Sequence, residues 1–67
     1  MKNYNLEKYT LSAASMLEKM LDRLNAEYAL CDTSDWHDGN FCGMATAMNM
    51  MGYDTRYDAE QGLWVLK

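Results

Sequence analysis

The chain has 67 residues, with ten acids, six bases and a formal charge of −4. That length holds one small domain and leaves no room for a doubly wound nucleotide fold, a barrel enzyme or a multi-site catalyst. The bases Lys2, Lys8, Lys19, Arg23, Arg56 and Lys67 are scattered, so direct nucleic-acid binding, which needs clustered Lys or Arg, is not expected.

In chain order, residues 1–9 are polar and aperiodic and read as an irregular or frayed lead-in. From about 11 to 30 the apolar residues recur at helical spacing. Ala13, Leu17, Met20, Leu21, Leu24 and Tyr28 share one side, while Glu18, Lys19, Asp22, Arg23 and Asn25 lie mostly opposite. Thr10, Ser12 or Ser15 can cap its start. The stretch Cys31–Asn40 loses that period, and its Asp, Thr, Ser, Gly and Asn residues read as a structured connection. A second helix over about 41–51 follows, capped by Asn40, with Phe41, Met44, Ala45, Met48 and Met51 as its stripe. Gly43 and Ala47 offer a close approach to the first helix, and Gly52 is placed to end the second in a left-handed conformation.

The tail changes to a period of two. Strands at about 53–58 and 63–66, joined by Ala59-Glu60-Gln61-Gly62, form a hairpin. The expected fold is therefore α+β: a two-helix hairpin followed by a C-terminal antiparallel β-hairpin (α-α-β-β), in a single domain spanning 1–67.

Groups that suggest chemistry gather between Cys31 and Cys42. Cys31, His37 and Cys42, with a nearby Asp, offer zinc donors, although the spacing matches no short paired-cysteine motif. A calcium loop aligned on Gly39 puts Ala45 where the bidentate glutamate must be. The segment Asn40-Phe-Cys-Gly-Met44 resembles the nucleophile helix start of papain-like cysteine proteases over about ten residues. That resemblance implies a later histidine, and none follows Cys42. No catalytic residue and no cofactor are assigned.

Asp32, Asp35, Asp38, Asp54, Asp58 and Glu60 would form an acidic face if packing brought them to one side. Such a face would suit a nucleic-acid mimic that inhibits a basic DNA- or RNA-binding protein. Apolar surface points elsewhere. In the last strand Trp64 and Leu66 share one face, Leu63 and Val65 the other, so one face needs cover. Trp36 sits in the polar connection, and Leu17 and Leu21 head a broad first-helix arc. These seven residues are the interface candidates. They point to a non-catalytic, regulatory or inhibitory accessory protein that binds protein, as a homodimer. Its size and acidity are of the kind found in inhibitors encoded by phages and mobile elements. A small zinc protein built on Cys31, His37 and Cys42 is the alternative. No membrane segment or signal is evident, so the cytoplasm is the expected location.

Overall fold

A computed structural model describes residues 2–67; Met1, the first residue of the lead-in, lies outside the described residues. Two α-helices, α1 (Leu11–Ala29) and α2 (Asp35–Met50), precede two strands, β1 (Thr55–Asp58) and β2 (Leu63–Leu66). The α-α-β-β order is as expected.

Helix α1 begins at Thr10, whose side-chain oxygen accepts from the Ala13 amide at 3.2 Å. Leu17, Leu21 and Leu24, spaced at one helical face, are fully buried. Helix α2 starts six residues earlier than its apolar stripe. Its cap is Ser34, which accepts from the His37 amide, and not Asn40. Asp35 and Asp38 place negative charge in that first turn, where the helix end is positive. At the other end the Gly52 amide bonds the Asn49 carbonyl and the Tyr53 amide bonds the Met48 carbonyl. Gly52 sits at φ 92°, the left-handed conformation that this closure requires.

The strands pair antiparallel in the register Thr55–Leu66, Arg56–Val65, Tyr57–Trp64 and Asp58–Leu63. The regular strand starts at Thr55, two residues later than expected, although the Lys67 amide still donates to the Asp54 carbonyl at 3.0 Å. In the four-residue loop the Asp58 carboxylate accepts from the Glu60 and Gln61 amides, and Gly62 adopts φ 68°. The core joins Tyr4, Leu17, Leu21, Leu24, Met48, Val65 and Leu66. Tyr4 comes from the lead-in, whose described residues 2–9 form no helix or strand although Tyr4 itself is buried in the core.

Candidate functional site

Both faces of β2 are at least partly covered, whereas Tyr57 of β1 stays 43% exposed. Val65 is 0% and Leu66 1% exposed, and Leu63 and Trp64 are half-buried. Trp64 packs among Tyr28, Phe41 and Tyr57 with ring centroids 5.3–5.7 Å away. Its buried indole N–H is left without a partner among the described residues.

The outer edge of β2 is closed as well. Alternate residues of a strand turn their N–H and C=O away from the paired neighbour. Here those of Trp64 meet the Asn25 side chain, which accepts from the amide at 2.7 Å and donates to the carbonyl at 3.0 Å. For Leu66, the amide donates to the Tyr4 carbonyl at 3.2 Å, and the carbonyl accepts from Asn5 Nδ2 at 2.9 Å. Asn25, expected on the solvent side of α1, thus acts as a one-residue strand. Pairing of this edge across a twofold axis is closed off by the chain's own groups.

A second polar cluster locks the helices together. Glu27 is 4% exposed, and one of its oxygens accepts from Arg23 Nη2 at 3.0 Å and Nε at 3.1 Å. Its other oxygen lies 2.6 Å from His37 Nδ1. An ionised carboxylate only accepts, so Nδ1 carries the hydrogen. Hydrogen bonding from His37 above all, with help from Asn40 and the charge of Arg23, holds the Glu27 carboxyl below its ordinary value of 4.5 against the opposing effect of desolvation. This is a structural clamp. A surface groove of about 550 Å³ lies elsewhere and is lined by Lys2, Asn3, Tyr4, Leu6, Glu7 and Glu18.

Cys31 and Cys42 are free thiols, each with its sulfur 3.9 Å from an aspartate, Asp32 and Asp38 respectively. With His37 committed to Glu27, no group of three or more His, Cys, Asp or Glu side chains among the described residues is arranged to hold a metal. Burial first, then the charges of Asp32 and Asp38, push the Cys31 thiol up. Asp35 and Asp38 open α2, whereas Asp54 bonds Asn49 near its end, about 20 Å along the helix. The Asp58 carboxylate is used inside the hairpin loop.

Of the seven interface candidates, Leu17, Leu21, Val65 and Leu66 are buried, Leu63 and Trp64 are half-buried, and Trp36 alone is fully presented, at 72% exposure. It belongs to α2, not to a loop. At helical spacing it shares a shoulder with Gly39, Gly43, Thr46, Ala47 and Met50, all exposed, Met50 at 81%. A Cβ added at Gly39 or Gly43 would meet nothing within 4 Å. Gly43 and Ala47 therefore face away from α1. This shoulder carries no charged side chain. The sequence signal for it was the small-residue spacing of Gly39, Gly43 and Ala47, which a helix starting at 41 conceals.

Comparison with known protein families, curated proteins and solved structures finds no match to this chain.

Proposed function

We propose that this chain is a small non-catalytic, protein-binding accessory protein, regulatory or inhibitory in role, whose contact surface is the α2 shoulder from Trp36 to Met50. One observation carries the reading: an uncharged strip bounded by two large exposed apolar side chains, in a protein where 24% of residues are charged. Enclosed aromatic and methionine side chains are typical anchors of protein contacts, and charge is depleted at the centre of such contacts. The free thiols suit a reducing compartment such as the cytoplasm. No helix among the described residues is long and apolar enough to cross a membrane.

The test is cross-linking in cells that express the chain, comparing wild type with Trp36→Glu and with Met16→Glu. Met16 is an exposed position on α1. Adducts, to another protein or to a second copy, are expected with wild type and Met16→Glu, and to fall at least about tenfold with Trp36→Glu. An unchanged adduct pattern in Trp36→Glu overturns the assignment of this face.

A further inference from the structure

Resting on that reading of the shoulder, we infer that its occupant is a second copy of the chain, bound as an antiparallel α2–α2 pair that crosses at Gly43. The argument is the symmetry of side-chain size about that glycine. Trp36 and Met50 lie seven residues to either side, and Gly39 and Ala47 lie four to either side. In a twofold antiparallel pair, each position before the crossing meets the equivalent position after it on the partner. Gly43 then meets Gly43 of the partner subunit, Gly39 meets the partner's Ala47, and Trp36 meets the partner's Met50. The small residues let the two backbones approach, and the aromatic–thioether contacts close both ends.

Length and area fit the same occupant. A helix of 16 residues is about 24 Å long. Two such shoulders with their Trp and Met ends bury on the order of 1,000 Å², the lower limit for a specific interface. The pair is therefore weak and concentration-dependent.

The test measures native mass by sedimentation over a range from low micromolar to millimolar. Wild type is expected to rise from 7.7 kDa toward twice that mass, and Gly43→Leu to stay at one chain with its helical circular dichroism retained. Single-cysteine chains in a Cys31→Ser, Cys42→Ser background then locate the crossing. Under mild oxidation Gly43→Cys should form a linked dimer. Ala47→Cys should not, because its two copies lie about 12 Å apart along the axis. A one-chain mass for wild type at every concentration, or readier linkage of the Ala47→Cys chain than of the Gly43→Cys chain, overturns the pairing. The protein-binding reading fails separately, only if Trp36→Glu leaves the cellular adducts unchanged.

Discussion

Asn25 shows how one side chain settles the fate of a strand edge. Its amide reproduces the pattern of a neighbouring peptide against Trp64 while its nitrogen also donates to the Leu21 carbonyl at 2.9 Å. Truncation would strand a half-buried amide and carbonyl, so Asn25→Ala is expected to lower stability by about 2–3 kcal/mol. Asn25→Asp, which keeps the acceptor but loses the donor, should fall in between; urea unfolding checks both. Glu27 behaves differently because its partners are ionic. Its folded carboxyl titrates below the unfolded value, so its stabilising effect is complete above pH 4.5 and is lost as pH falls through the folded value. Asp22 and Asp58 are also held below their ordinary 3.8, by Lys2 and Tyr4 and by Gln61 respectively. Acid unfolding should therefore steepen below about pH 4.5, and Glu27→Gln should flatten that limb while lowering the melting temperature at pH 7. None of this was legible beforehand. A wheel sorts residues by polarity, and Asn25 and Glu27 are polar side chains whose partners lie in other elements.

The elements themselves divide by how purely apolar their buried face is. Helix α1 was legible because Leu17, Leu21 and Leu24 mark its inner side without interruption. The inner side of α2 begins instead with His37 and Asn40, turned to Glu27, before Phe41, Met44 and Met48 take over. Its first turns therefore look like a polar loop, and Gly39 looks like a breaker. The β-hairpin was legible for the opposite reason: its loop chemistry is local, and Gly62 sits where a positive φ is needed. Gly39 and Gly43 weaken α2 by about 1 kcal/mol each relative to alanine, with no contact in the single chain to offset it. Gly39→Ala is accordingly expected to raise the stability of the monomer by roughly that amount. Thermal unfolding at low micromolar concentration checks this; a loss would mean that the Gly39 backbone has a structural role within one chain.

At the scale of the whole molecule, the apolar excess that the ribbon presents is absorbed by the chain's two ends meeting. The N-terminal segment lies along β2: Asn3 exchanges hydrogen bonds with Gln61, Tyr4 and Asn5 meet Leu66, and the Tyr4 hydroxyl donates to Asp22 at 2.6 Å beside Lys2. Asn5 reaches Leu66 from a left-handed conformation, φ 65°, which asparagine tolerates better than most residues. A lead-in of mixed polar residues gives no periodicity from which such docking can be read, which is why association looked necessary to cover the tail. The arrangement also makes stability sensitive to alkaline pH. Burial and the Asp22 hydrogen bond raise Tyr4, and Asp22 raises Lys2, so both contributions are present below about pH 10 and are lost as pH climbs through the folded values. Removing residues 1–5 should cost about 3–5 kcal/mol, from the lost burial of Tyr4 and the bare Leu66 edge. That is a large share of the stability of so small a domain. The shortened chain is expected to show a matching drop in its urea midpoint, and fast hydrogen exchange at Leu66 and Trp64 while the central turns of α1 keep more protection. Equal exchange at Leu66 in both chains would mean that the segment only rests on the sheet and that β2 is closed by other means.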